Sequence, residues 1–221
     1  MNFAEYNVKD ANLEEVLLAL KSLDTVEAVA LGGSRSTGAS DENSDYDIYV
    51  YCAEIPTAET RENLLGKYCS IAEFGNHYWE SEDNTVMNNG VPVDIIYREV
   101  DRFGRYIDTV IKGGKAFNGY TTAFWHNIKN SKVLFDKTGN FTKFRDMAQI
   151  DFPENLRSAI IKNNRNLLNG KLPSYDRQIK KAQERGDIVS VNHRITAFLE
   201  SYFDVIFALN RQTHPGEKRQ V

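Results

Sequence analysis

The chain is 221 residues long and carries 27 Lys and Arg against 31 Asp and Glu, a formal net charge of −4. That length fits one large domain or two small ones, and the charge balance lacks the basic excess of a protein that coats nucleic acid through its phosphates, leaving a small polar substrate or a local basic patch. With 41% hydrophobic residues, among them 12 Phe and 11 Tyr, the chain can bury a sizeable core, which excludes global disorder.

The first predicted element is a helix over 10–23. Leu13, Val16, Leu17 and Leu20 recur at helical spacing behind an Asp10 cap, and Glu14 and Glu15 lie in the first turn, where the dipole favours acid. Residues 26–31 form a short apolar run that stops at Gly32-Gly33-Ser34, and 46–51 (YDIYVY) is a second run rich in β-formers, so the two read as neighbouring strands. A helix starting at Pro56 and reaching about Tyr68 precedes three further strand signals, at 70–74, 85–87 and 91–97. Past residue 100 helical patterns take over, apart from a strand at 133–135. One helix after Pro153 carries Leu156, Ile160, Ile161, Leu167 and Leu168 and closes at Gly170. Another, capped by Asp187, carries a stripe of Val191, Ile195, Phe198, Tyr202, Ile206 and Leu209 that reads as a core seam. The fold class is therefore α+β, with a small mixed-sheet head at 1–140 and a mostly α-helical C-terminal domain at 141–221, parted where DKTGNF interrupts the pattern.

The most informative stretch is 31–50, LGGSRSTGASDENSDYDIYV, where a strand runs into a small-residue turn and the chain re-emerges as a strand led by Asp45-Tyr46-Asp47. Residues two apart on a strand share a face, so Asp45 and Asp47 project together, and two carboxylates that close are costly unless a cation neutralises them. Magnesium suits such a pair, because it prefers oxygen ligands and is commonly held by one or two carboxylates together with nucleotide phosphates. Gly32 and Gly33 let the backbone approach a ligand closely, and Ser34 opens a short helix whose free N–H groups suit phosphate. Asp94 stands within the otherwise apolar VPVDIIY, where a charge is unfavourable unless it faces a cluster or a cleft, and it is placed beside Asp45 and Asp47. Three carboxylates can hold two Mg²⁺ ions about 3.5–4 Å apart, an arrangement that serves in-line phosphoryl displacement.

Gly33-Ser34, followed eleven residues after the serine by Asp45-x-Asp47 and then by Asp94 on a later strand, resembles the DNA polymerase β-type nucleotidyltransferase superfamily over roughly the first hundred residues. An α/β head followed by a helical domain is similar, within that superfamily, to antibiotic-modifying nucleotidyltransferases of the aminoglycoside and lincosamide type. The resemblance implies an enzyme that moves a nucleoside monophosphate from an NTP such as ATP to a hydroxyl of a small, antibiotic-like acceptor, releasing pyrophosphate. By it, Gly33 and Ser34 would hold the phosphates, Asp45 and Asp47 would ligate Mg²⁺, and Asp94 would ligate metal or take the acceptor's proton. The same superfamily allows AMP transfer to a protein, nucleotide addition to RNA, or a binding role as the partner of a toxin–antitoxin pair or a nucleotide sensor. The −4 charge argues against RNA, and the three carboxylates with a large helical half argue against a minimal antitoxin.

Other residues carry two readings each. Arg35 either steadies the triphosphate or solvates its loop. His193, Glu200 and Asp204 lie off the apolar stripe and read as a solvated face rather than an acceptor site, and His214 to Arg219 reads as an exposed tail rather than an arm reaching phosphate. Trp79 and Trp125 read as core or cleft wall more readily than as stacking platforms, and His77 and His126 lack a partner at zinc-ligand spacing. Cys52 and Cys69, with no CxxC spacing, read as buried thiols. No run approaches the ~20 apolar residues that cross a bilayer, and MNFAEYNVKDANLEE lacks a basic region followed by an apolar one, so the expected location is the cytoplasm, away from membranes. The aromatic-rich helical half offers a surface for a homo-oligomer.

Overall fold

A computed structural model of the chain describes residues 9–38 and 44–217. They divide into two compact units, the described parts of Met1–Gly104 with Ile128–Gln149 and of Arg105–Asn127 with Ile150–Val221. No helix among the described residues is long and apolar enough to cross a membrane.

In the first unit, α1 (Ala11–Ser22) begins where the Asp10 carboxylate accepts the N–H groups of Asn12 at 3.0 Å and Leu13 at 3.4 Å, two donors that a first turn otherwise leaves unpaired. There follow β1 (Val26–Leu31), α2 (Gly33–Thr37), β2 (Tyr46–Cys52), α3 (Ala58–Leu65) with a 3₁₀ turn at Gly66–Tyr68, β3 (Cys69–Asn76), β4 (Ser81–Met87) and β5 (Pro92–Glu99). α4 (Val100–Ile111) and α5 (Ala123–Asn130) belong mostly to the second unit, and β6 (Lys132–Asp136) and α6 (Asn140–Met147) complete the first. The six strands lie in the order β3-β4-β5-β2-β1-β6, and all neighbours are antiparallel except β2 and β5. All six strands fall on the expected runs, although β4 starts at Ser81, four residues before its apolar signal, because Ser81-Glu82-Asp83-Asn84 has no apolar alternation to read.

Alternation sorts the faces of the sheet. Tyr46, Ile48, Val50 and Cys52 of β2 join Val93, Ile95 and Tyr97 of β5 and the buried side of α1 in one core. Asp47, Tyr49 and Tyr51, with Asp94, Ile96 and Arg98, therefore take the opposite face. Toward the far end of that face Tyr51 stacks on Phe141 with ring centres 4.2 Å apart. Beside it Arg98 donates two 2.7 Å bonds to Glu80, and its guanidinium lies 4.4 Å over the rings of both Tyr49 and Phe103. On the core side of β4, wholly buried Asp83 pairs with buried Arg61 of α3 at 3.0 Å and accepts the N–H of Gly75 at 2.9 Å. Burial pushes the Asp83 carboxyl above its ordinary value, opposed by those two partners.

The second unit contains α7 (Glu154–Arg165), which runs into a π-helical turn at Asn166–Gly170, then α8 (Tyr175–Glu184) and α9 (Ile188–Leu209). Asp187 caps α9 as expected, accepting the N–H of Ser190 at 3.0 Å. Five expectations need correction here and in the first unit. The stripe of α9 is not a core seam: Ile195, Tyr202 and Leu209 are 42%, 41% and 46% exposed, and α9 packs on α7 and α8 by burying Val191, Ser201, Asp204 and Ala208. Small or hydrogen-bonded residues allow that close packing.

Asp204, expected on a solvated face, is 1% exposed. It accepts the N–H of Thr121 at 3.1 Å, the Thr121 hydroxyl at 2.7 Å and Asn164 Nδ2 at 3.0 Å, which ties the segment before α5 to α7 and α9. Burial raises its pKa to about 6 against the pull of these bonds. His214, expected in an exposed tail, is fully buried, with its ring 5.0 Å from Tyr120 and 4.9 Å from Phe207. Its backbone N–H donates to Thr122 Oγ1 at 2.8 Å and its Nδ1 accepts the N–H of Gly216 at 3.0 Å. Burial, with a smaller effect of His126, lowers its pKa to about 4. Lys218 and Arg219 lie outside the described residues. Cys52 is buried but Cys69 only half-buried. Trp125 is core, 5.3 Å from Phe152, and Trp79 is exposed.

Candidate nucleotide and metal site

Three carboxylates converge on the open end of the second sheet face. Parallel pairing of β2 with β5 sets Asp47 directly opposite Asp94, and Asp45 enters just ahead of β2. One oxygen from each of Asp45, Asp47 and Asp94 lies within 4.8 Å of the others, and all three side chains are half-buried. Like charges so close need a counter-charge, and an all-oxygen set of this kind fits a hard divalent cation such as Mg²⁺. The negative field is visible at Glu82, two residues along β4 from the site, whose pKa is raised first by burial and then by the charges of Asp94, Glu80 and Asp83.

The turn between β1 and β2 is shaped around Asp47. The Gly32 N–H donates to the Asp47 carbonyl at 2.8 Å. Gly33 has φ +59°, and a Cβ built on it would overlap Oδ2 of Asp47. Both the left-handed backbone and the missing side chain are therefore required at this position. α2 then runs Gly33–Thr37 and places Ser34, half-buried, next to the carboxylates' strand. Arg35 is committed to the backbone that carries Asp45: its Nε donates to the carbonyls of Ser44 at 3.0 Å and Asp45 at 3.1 Å, Nη2 donates to Ser44 as well, and the guanidinium lies 4.1 Å over the Tyr46 ring. It thus holds the end of the turn against the start of β2. Residues 39–43 of that turn lie outside the described residues.

One side chain next to the acidic set, Asn84, escapes a reading of the sequence. Asn84 of β4 stands opposite Asp94 in register, and its Nδ2 donates to Asp94 Oδ1 at 3.0 Å. Asn76 Nδ2 donates in turn to Asn84 Oδ1 at 2.7 Å, which fixes the amide with its donor toward Asp94. The available signal was a pair of asparagines at the two sides of a β-turn segment, visible only once β4 is known to begin at Ser81. In the second unit, Glu200 is half-buried and His193 is exposed.

Residues 13–116 match the family model described as a nucleotidyltransferase domain, and residues 122–219 match a second, described as a domain of unknown function (DUF4037). No curated protein matches. Among solved structures, a toxin–antitoxin crystallised with AMP-PNP is similar at 17% identity and TM-score 0.36, over 80% of this chain and 98% of that one. A nucleotidyltransferase-like protein from Exiguobacterium sibiricum 255-15 is similar at 9% identity and TM-score 0.43, over 90% of this chain and 56% of that one. Spectinomycin adenyltransferase AAD(9) from Enterococcus faecialis, with ATP and spectinomycin, is similar at 15% identity and TM-score 0.39, over 95% and 93%. Every residue of the acidic site lies within 13–116, the segment that matches the nucleotidyltransferase domain model.

Proposed function

We propose that the protein transfers a nucleoside monophosphate from an NTP to a hydroxyl of a small, antibiotic-like acceptor in a Mg²⁺-dependent reaction. The observation that carries this reading is the convergence of Asp45, Asp47 and Asp94 beside a glycine turn moulded to Asp47. Asp45 and Asp47 would hold the metal, with Asp94 completing the set. Two Mg²⁺ ions, when bound, would offset the charge of the triphosphate and polarise the phosphoryl group under attack.

The remaining roles fall to the chain itself. The Gly33-Ser34 turn receives the β- and γ-phosphates, its backbone free to approach them. The acceptor's hydroxyl oxygen attacks the α-phosphorus, its proton passes to the Asp94 carboxylate, the bond to the bridging oxygen breaks, and pyrophosphate departs with that electron pair. Asn84 keeps Asp94 in place through the exchange. A panel of aminoglycosides, aminocyclitols and lincosamides, screened for pyrophosphate release with each of four NTPs, tests the reading. Acceptor-dependent release that is abolished in Asp47→Asn supports it; nucleotide binding without release for any small acceptor contradicts the choice of acceptor class.

A further inference from the structure

The outer side of α9 repeats an apolar residue at alternating intervals of three and four, the spacing of a two-stranded coiled coil. Ile188, 67% exposed, is followed by Ile195, Leu199, Tyr202 and Leu209, each more than 40% exposed. Asn192, exposed, and Ile206, half-buried, occupy the two remaining positions, so the pattern 188, 192, 195, 199, 202, 206, 209 is unbroken over three heptads. This side faces away from Ser201, Asp204 and Ala208, which α9 buries inside its own unit; buried Val191 flanks the seam near its start. At 1.5 Å per residue the seam is about 33 Å long. Scattered apolar residues on a surface need no explanation, but an aligned row of this length does.

We propose that this seam is a homodimer interface in which α9 pairs in parallel with α9 of a second copy across a two-fold axis. Three features favour a second copy over a different partner. The seam is self-complementary under a two-fold, since each position meets its own equivalent. The charged residues of α9, Arg194, Glu200 and Asp204, all lie off it, so copies approach without repulsion and no oppositely charged partner is called for. Its one polar member, Asn192, sits where a lone asparagine specifies register and strand number by pairing with itself. An antiparallel pairing centred on Leu199 would set Asn192 against Ile206 and bury its amide without a partner, which is unfavourable. The proposal is independent of the reaction assigned above.

Sedimentation of the full chain at rising concentration tests it. The expected result is a species of twice the 25.2 kDa chain mass that reverts to a single chain in Leu199→Glu, with the far-UV spectrum unchanged. A second measurement does not depend on that variant folding. Asn192→Cys, oxidised, should form an interchain disulfide that wild type with Cys52 and Cys69 does not, because a parallel pairing brings the two Cα atoms within the ~4.4–6.8 Å a disulfide spans. A wild-type chain that stays single, or a dimer that survives Leu199→Glu, overturns the interface; a dimer that fails to cross-link at position 192 overturns the parallel register.

Discussion

At Gly33 the difference of one methyl group decides where Asp47 can lie. The αL backbone there costs an alanine about 1 kcal/mol, and its Cβ would displace the Asp47 carboxylate by a distance comparable to a bond length. Gly33→Ala should therefore lower kcat/KM about 100-fold, in line with the cost of an ångström-scale misplacement, while the melting temperature falls by only a few degrees. Steady-state kinetics beside a thermal melt checks this, and near-normal turnover would show that Asp47 is not held by the turn. Asn84 acts one step further out. Asn84→Ala should reduce kcat and weaken metal dependence by about 10-fold, as removal of a ligand-orienting hydrogen bond does, with Asn84→Gln partly restoring it. A titration of activity against Mg²⁺ that is unchanged in Asn84→Ala would reduce Asn84 to a structural residue.

Between elements, two buried polar locks carry measurable stability. Arg61→Leu strips the partner from Asp83 at the α3–β4 contact and leaves a carboxylate at zero exposure, so unfolding in urea should show a loss of about 3–5 kcal/mol. A loss under 1 kcal/mol would mean that Asp83 is neutral in the fold. In the helical unit the two shifted groups oppose each other. The folded pKa of Asp204, about 6 against an ordinary 3.8, is raised, so its contribution is complete below about pH 4 and is lost as pH rises through 6. The folded pKa of His214, about 4 against 6.5, is lowered, so the unfolded chain takes up its proton first and stability is lost as pH falls from about 6.5 toward 4. Each amounts to on the order of 3 kcal/mol. Melting temperatures from pH 4 to pH 7 should accordingly rise more steeply with pH in Asp204→Asn than in wild type, and should fall with pH in His214→Gln. The same slope in all three proteins would refute both assignments.

Across the whole molecule, much of the first unit and of the acidic site was legible from residues alone. Apolar runs marked six strands, and glycines followed by Asp45-x-Asp47 and Asp94 marked the site, because alternation and unusual local chemistry both leave a trace in a single stretch of chain. What escaped depends on pairing between distant stretches. Asn84 gains its role only by lying opposite Asp94, and Asp204 only by meeting Thr121 and Asn164. His214 looks like part of a polar tail until Tyr120 and Phe207 enclose it. The apolar stripe of α9 misled for a related reason: periodicity identifies an apolar face but not what covers it, and apart from Val191 the helix buries a different side, that of Ser201, Asp204 and Ala208.

The proposed reaction depends first on Asp45, Asp47 and Asp94 binding metal and nucleotide together. Calorimetric titration of ATP, GTP, CTP and UTP into the protein, with and without Mg²⁺, tests it most directly, with Asp45→Asn/Asp47→Asn as the control. The expected result is saturable binding of at least one nucleotide that requires Mg²⁺ and disappears in the control. Binding indifferent to Mg²⁺ and to both substitutions, or no binding of any nucleotide by a folded protein, would contradict it.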